Sequence, residues 1–228
     1  MLCPPTCVLC GANARWIDIC AGCETDLPRH EHACARCAVP LAGSIAGGLE
    51  CGQCQRRQPP FDRALCAFDY RFPVDRLLQA LKFRGALVYG RVLGELLAAR
   101  VESVADSLPA LIVPMPLHRR RLGERGFNQA YEIARPVARR LGLPLNSSGG
   151  VRLRATREQS LLDAQERRAN LRGAFAARQA AWPAHVAIVD DVLTTGSTAG
   201  ELARTLKKAG ARQVDVWCVA RAAKWGHA

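Results

Sequence analysis

Eight cysteines set as four C-x-x-C pairs, Cys7/Cys10, Cys20/Cys23, Cys34/Cys37 and Cys51/Cys54, fall within 48 residues and constrain folding more than any other feature of the chain. Each pair lets two thiolates converge on one ion, and two pairs complete a four-sulfur tetrahedral shell around Zn²⁺. A gap of nine residues separates the first two knuckles and thirteen the last two. Sequential pairing would close two short ribbon-like loops, and interleaved pairing, as in cross-braced fingers, is the alternative that spacing leaves open. A segment of this size buries too little apolar surface to fold unaided, so metal binding is the expected source of its stability. Two structural zinc ions are therefore expected, since a catalytic zinc would keep an open position. His30 and His32 lie between knuckles, but eight thiolates saturate two ions, and both histidines are expected at the surface. Cys3 has no partner knuckle, while Cys66 and Cys218 sit in strand-like runs and read as small buried hydrophobes.

Pro59-Pro60 closes this module and makes a hinge. The expected organisation is a cysteine-rich module over residues 1–58 and a larger domain over residues 61–228. The opening MLCPPTCVLCGANAR lacks the basic and apolar regions of a secretory leader. The cytoplasm is the expected compartment, where thiols stay reduced and favour metal ligation over disulfides. The longest apolar run, Ala110 to Leu117, is eight residues, short of the roughly 20 that span a bilayer, so no membrane insertion is expected.

The formal net charge is +12, and it is unevenly placed. Residues 1–60 hold 5 Arg and 5 acids, which leaves 27 basic against 15 acidic side chains in the remainder. Such an excess suits a polyphosphate or a nucleic-acid backbone. A compositional bias is the competing explanation, because 28 of the 32 basic residues are Arg.

Beyond the hinge, Ala64 to Tyr70 is an apolar run of strand type. Val74, Leu77, Leu78 and Leu81 repeat at helical spacing, ending near Lys82 and Phe83, and Val92, Leu93, Leu96 and Leu97 mark a second helix. Ala110 to Met115 reads as a buried strand, Ala130 to Leu141 as a helix despite Pro136, Val151 to Leu153 as a strand and Asp163 to Phe175 as a helix. Val186 to Val189 and Val214 to Val219 are further strands, on either side of a helical stretch from Ala199 to Ala209. Alternating strands and helices imply a parallel sheet with crossover connections.

The segment Val186 to Glu201, VAIVDDVLTTGSTAGE, carries the chemistry. An apolar strand delivers two carboxylates, Asp190 and Asp191, into a turn, Thr194-Thr195-Gly196-Ser197-Thr198, that opens a helix. In a parallel sheet this is the carboxyl edge, where ligands bind. The backbone N–H groups of such a turn and the helix N-terminus suit a dianionic phosphate, Gly196 permits close approach, and the hydroxyls add donors. A plain N-capping turn would explain the hydroxyls but not the paired acids, which call for hydroxyls or a metal beside the phosphate. A ribose 5-phosphate satisfies both demands.

VAIVDDVLTTGST resembles the 5-phosphoribosyl-1-pyrophosphate (PRPP) signature of type I phosphoribosyltransferases, and the knuckles ahead of it resemble the ComF family of competence-related proteins. Lys82 in LLQALKFRG, the stretch VPMPLHRRRLGERGFNQA, and Arg154, Gln159, Arg167 and Asn170 extend the likeness over nearly the whole chain. The resemblance implies an α/β fold with a five-stranded parallel core, helices on both faces and a hood for the acceptor. It also implies Mg²⁺ held mainly by PRPP, and a second loop for pyrophosphate. Arg119, Arg120 and Arg121 suit that pyrophosphate through bidentate bonds. Arg125 to Gln129 would form a mobile flap, and Lys82 reaches the pyrophosphate or is an ordinary helix-end lysine.

Two functions share this loop. One is an enzyme that transfers ribose 5-phosphate to an unidentified acceptor in nucleoside metabolism. The other is a non-catalytic PRPP sensor that handles single-stranded DNA during DNA uptake, with competence-machinery proteins as partners. Only thirteen Phe, Trp and Tyr occur in the chain, which disfavours an extensive base-stacking platform.

Overall fold

The structure is a computed structural model of the chain, and it describes residues 5–14, 17–41, 48–154 and 171–222. The knuckles pair sequentially. In the first ribbon Thr6 bridges Asn13 around the Cys7–Gly11 turn, and α1 (Ala21–Thr25) begins directly after Cys20. The second repeats the plan, with Ala33 bridging Pro40 and α2 (Gly52–Arg56) beginning directly after Cys51.

The remaining elements follow in the order β1 (Arg63–Asp69), α3 (Val74–Arg84), α4 (Leu87–Val104), β2 (Leu111–Pro114), α5 (Arg119–Arg125), α6 (Gln129–Leu141), β3 (Gly150–Arg152), β4 (Phe175–Ala177), β5 (His185–Leu193), α7 (Ser197–Lys208) and β6 (Gln213–Arg221). Four strands make a wholly parallel sheet in the order β1-β6-β5-β2. The fifth strand expected of the core is reduced, among the described residues, to one parallel bridge between Ile112 and Leu145. Val151 lies in a strand as expected, but β3 pairs with β4 in a separate antiparallel ribbon, joined to the residue ahead of α5 by one parallel bridge between Arg152 and His118. Phe175 opens β4 and so is not the end of a helix; most of the helix expected from Asp163 lies outside the described residues.

Alternation along the strands sorts the core into two layers. On one face Ala187, Val189, Trp217 and Val219 pack with α3, α4 and α6. On the other Val186, Ile188, Val216 and Cys218 pack with α7 and Phe175. Helices therefore cover both faces, the α/β class expected from the sequence. Cys66 and Cys218 are buried beside one another in register across β1 and β6, as small apolar residues.

The stripe Val74, Leu77, Leu78, Leu81 is wholly buried, so the helical period of α3 is its packing face. Helices α4 and α6 approach unusually closely. A Cβ on Gly94 would lie 2.5 Å from the carbonyl oxygen of Ile133 and against the ring of Pro136. The proline removes a helical hydrogen bond within α6, yet its ring fills the groove that Gly94 leaves.

The ribbons dock on the free edge of β1 and so cover an otherwise open strand. His30 N–H donates to the Ala67 carbonyl at 3.0 Å, Asp69 N–H to Pro28 at 2.8 Å and Ala64 N–H to Arg36 at 2.8 Å. His30 is 4% exposed, which corrects its expected surface position; His32 is exposed as expected. The His30 ring bonds Asp69 through Nδ1 at 2.7 Å and the Ala38 carbonyl through Nε2 at 2.8 Å. That second bond holds Ala38 at φ 52°, a left-handed conformation that costs a non-glycine residue about 1 kcal/mol. Arg91 of α4 pairs with Asp18, and Arg100 donates to the His30 carbonyl at 3.2 Å.

Candidate functional site

Strand β5 lies inside the sheet, between β2 and β6, and its carboxyl end carries Asp190 and Asp191. Asp191 faces the α3/α6 layer. Its Oδ2 is ion-paired with Lys82 near the end of α3, and its Oδ1 accepts from Gln129 Nε2 at 3.3 Å. Gln129 Oε1 in turn accepts from Arg125. Asp190 is half-buried, and its Oδ1 accepts from the Asp191 N–H at 2.9 Å.

The two carboxyls are electrostatically unequal. Withdrawal from water, and then the neighbouring charge of Asp191, push Asp190 well above the usual carboxylate range. Burial alone would also raise Asp191, but the Lys82 ammonium outweighs it and holds this carboxyl below its ordinary value. Lys82 shows the reverse: burial would lower it, and the Asp191 charge raises it. Two adjacent acids at a sheet edge are thus split into one anchored carboxylate and one that readily takes a proton.

More cations converge on this pair. Arg125 sits 5.9 Å over the Phe83 ring and feels the Asp191 charge; burial lowers it, and Arg121 adds to that lowering. Arg152, on β3, stacks 5.6 Å over Phe175. Burial and then Arg121 lower it, while Asp190 acts in the opposite sense. Lys82, Arg125 and Arg152 are therefore brought within electrostatic reach of the acids, and the exposed Arg121 lies within reach of the two arginines. Arg119 and Arg120 are exposed on the first turn of α5, and Arg120 is turned along its own helix to Glu124 at 2.8 Å. What was expected as a flap over Arg125 to Gln129 is the end of α5, a three-residue connection and the buried start of α6.

Leaving β5, Thr194 and Thr195 are exposed. Gly196 takes φ 73°, and Ser197 begins the 12-residue helix α7. A left-handed residue there needs glycine for a second reason, since a Cβ would stand 3.3 Å from the Phe61 ring. The Thr195 and Ser197 hydroxyls share a hydrogen bond of 2.9 Å, and Ser197 N–H donates to Thr195 Oγ1 at 3.3 Å. Thr198 is half-buried on the first turn of the helix. This end of α7 carries the positive pole of the helix and its first N–H groups, which suit an anion.

Arg152 and Arg221 belong to this surrounding and are not singled out by the sequence, while Gln129 is expected there only as the end of the flap and not as a partner of Asp191. Gln129 was within reach, because it lies in the string ERGFNQA. Arg221 ends the apolar strand β6 at 8% exposure, and a lone arginine closing a buried run was its only signal.

The cysteines form two separate tetrads, Cys7, Cys10, Cys20, Cys23 and Cys34, Cys37, Cys51, Cys54, each with sulfurs within 4.8 Å of one another. Cys10 and Cys20 are 3.6 Å apart and Cys37 and Cys51 are 3.7 Å apart. Two thiolates on one tetrahedral zinc, with Zn–S near 2.3 Å, lie about 3.8 Å apart, so both tetrads fit the ion. Burial would raise the thiols of Cys7 and Cys34, but N–H bonds from the knuckle backbones lower them to about 6 and about 7 respectively. Each site therefore has a ligand already disposed to be a thiolate.

Residues 1–55 match the family model of a double zinc ribbon domain. The DNA utilization protein YhgH of Salmonella typhimurium is 38% identical over 226 residues, covering 96% of this chain and 97% of that protein. Competence protein F of Haemophilus influenzae is 32% identical over 225 residues, covering 95% and 96%. The crystal structure of TT1426 from Thermus thermophilus aligns with 61% of this chain and 86% of its own at 18% identity and a TM-score of 0.37, too distant to bear on function.

Proposed function

This chain belongs to the ComF family of competence and DNA utilization proteins, and on that premise we propose that it binds Mg-PRPP and transfers ribose 5-phosphate to an acceptor during the use of incoming DNA. The observation that carries the reading is the junction of β5 and α7, where Asp190 and Asp191, with Lys82 paired to Asp191 and Arg125 and Arg152 within electrostatic reach, precede the Thr194–Thr198 turn.

In this reading the turn takes the 5-phosphate, with N–H groups and hydroxyls as donors. Asp190 and Asp191 accept from the ribose 2- and 3-hydroxyls. Arg121, Arg125 and Lys82 bear on the pyrophosphate and neutralise charge as it leaves. Asp191 is already neutralised by Lys82, so the chain offers a magnesium ion few ligands of its own, in keeping with an ion that arrives on PRPP. When bound, that ion would help polarise the pyrophosphate. The carboxylates favour the positive charge that develops on the ribose ring as its bond to pyrophosphate breaks.

Calorimetry of Mg-PRPP binding tests the reading. The variant with Asp190→Asn and Asp191→Asn is expected to bind at least about tenfold more weakly, or 1.4 kcal/mol, and unaltered affinity would refute the assignment. Transfer itself is tested by pyrophosphate release with a panel of bases.

A second reading, a PRPP sensor that binds single-stranded DNA, is favoured by a cleft of about 790 Å³ between the second ribbon and α7. Arg57, Arg172, Arg204 and Lys208 line it, and it reaches the turn at Thr195 and Ser197. Binding there should weaken with salt at a log–log slope of roughly −0.7 per phosphate contacted. No binding at low salt would remove this reading, and silence across the base panel would favour it over transfer.

A further inference from the structure

A buried guanidinium has five N–H donors and demands acceptors for them. Arg221 reaches four acceptors, all main-chain carbonyls, three of which share the two N–H groups of Nη1. Its Nη1 donates to Leu193 at 3.0 Å, Thr194 at 2.5 Å and Ala222 at 2.6 Å, and its Nε donates to Cys37 at 3.2 Å. Leu193 ends β5 and Thr194 opens the anion turn, whereas Cys37 is a ligand in the second zinc tetrad. One side chain thus ties the backbone of a zinc ligand to the backbone of the turn.

Packing reinforces the link. Phe61, 2% exposed and only seven residues beyond Cys54, sits against Gly196 of the turn. Pro60 meets α7 where a Cβ on Gly200 would lie 3.0 Å from the proline ring. The chain that leaves the second ribbon therefore runs directly under the turn. A four-thiol ribbon of this size owes its fold to the metal, and a wall that depends on metal imposes the same dependence on whatever it supports.

We propose that Arg221 is a positioning residue through which zinc in the second ribbon sets the shape, and hence the affinity, of the anion turn. With the second tetrad filled, the Cys37 carbonyl fixes Arg221, and Arg221 fixes Leu193 and Thr194 so that the following N–H groups face one anion. Loss of that zinc loosens the Cys37 knuckle and frees the turn. The inference rests on the reading of the turn as a phosphate site. By linkage the effect is reciprocal: a phosphate in the turn must tighten zinc in the second ribbon and leave the first unaffected.

The test uses the full chain with two zinc ions and ribose 5-phosphate as the probe, which reports on the turn without magnesium or pyrophosphate. Arg221→Met and Cys51→Ser are each expected to weaken binding by about tenfold, the scale of a lost set of charge-assisted bonds. The double variant should be little weaker than either alone, and Cys10→Ser, in the first ribbon, should bind within about twofold of wild type. Ribose 5-phosphate should slow the release of one of the two zinc ions to a chelator in wild type and not in Arg221→Met. If Arg221→Met fails to fold, Arg221→Lys, which keeps the charge but not the multiple carbonyl contacts, takes its place. Failure of wild type to bind the probe would sink the phosphate reading and the inference with it. Undiminished binding by the Arg221 and Cys51 variants, additive losses, or zinc release indifferent to the probe would overturn the inference alone.

Discussion

Asp190→Asn is expected to make the protein more stable and less able to bind its ligand. The folded state holds Asp190 half-buried, accepting from the Asp191 N–H at 2.9 Å and standing beside a second carboxylate. Its pKa is raised, first by burial and then by Asp191. A group whose folded pKa lies above its unfolded one contributes stability fully present below the unfolded value, and that contribution is lost as pH rises through the folded value. At neutral pH Asp190 therefore opposes folding. Asparagine keeps the acceptor for Asp191 N–H, cannot ionise, and can donate to the Asp191 carboxylate. Exchanging repulsion for such a bond should stabilise the fold by about 1–2 kcal/mol near pH 7.5, raising the melting temperature by roughly 2–8 °C in a chain of this size. The assay is urea unfolding of both proteins between pH 5.5 and 8.5, with zinc in excess so that its contribution cancels in the difference. The gain should grow with pH at a slope of at most about 1.4 kcal/mol per unit and then level off, while Mg-PRPP affinity falls. A variant that is less stable than wild type, or a difference independent of pH, would refute the charge argument.

Lys82→Met removes the partner of a buried carboxylate and should destabilise the protein by about 3 kcal/mol; adding Asp191→Asn should recover most of that loss in a double-mutant cycle by urea unfolding. Gly94→Ala drives a methyl into the Ile133 carbonyl and Pro136 ring, and calorimetric melting should register a loss of about 1–3 kcal/mol from overpacking between α4 and α6. Metal analysis of the purified protein should find two zinc ions per chain, and one after Cys20→Ser or Cys51→Ser; a single ion in wild type would contradict the two tetrads. Those substitutions should also raise the susceptibility of residues 5–54 to proteolysis, because the ribbons lack a core of their own.

Much of the architecture was legible because it rests on local rules. Apolar runs bounded by turn residues marked β1, β2, β5 and β6, and the stripes at Val74 and Val92 marked α3 and α4. The α6 helix was readable across Pro136, although the reason a proline is tolerated there lies on another helix, at Gly94. Short elements were less legible: α5 reads as a run of charge, and β4, three residues long, is too brief for periodicity to register and was expected as the end of a helix, although the equally short β3 was readable as a strand. The expected fifth strand shrank to one bridge because strand pairing is a property of neighbours and not of the segment itself.

Composition and spacing by themselves determined two things about this protein: that eight thiols must fold the N-terminal module around metal, and that a strand, two acids and a glycine turn must meet at the start of a helix. Both follow from contacts between residues close in the chain. Tertiary structure alone decided which knuckles share an ion, that Lys82 anchors Asp191 and so divides two identical side chains into unlike acids, and that Arg221 joins a zinc ligand to the turn 157 residues away. Those are through-space relations between distant segments, and the electrostatic inequality they create exists only after water has been excluded around them.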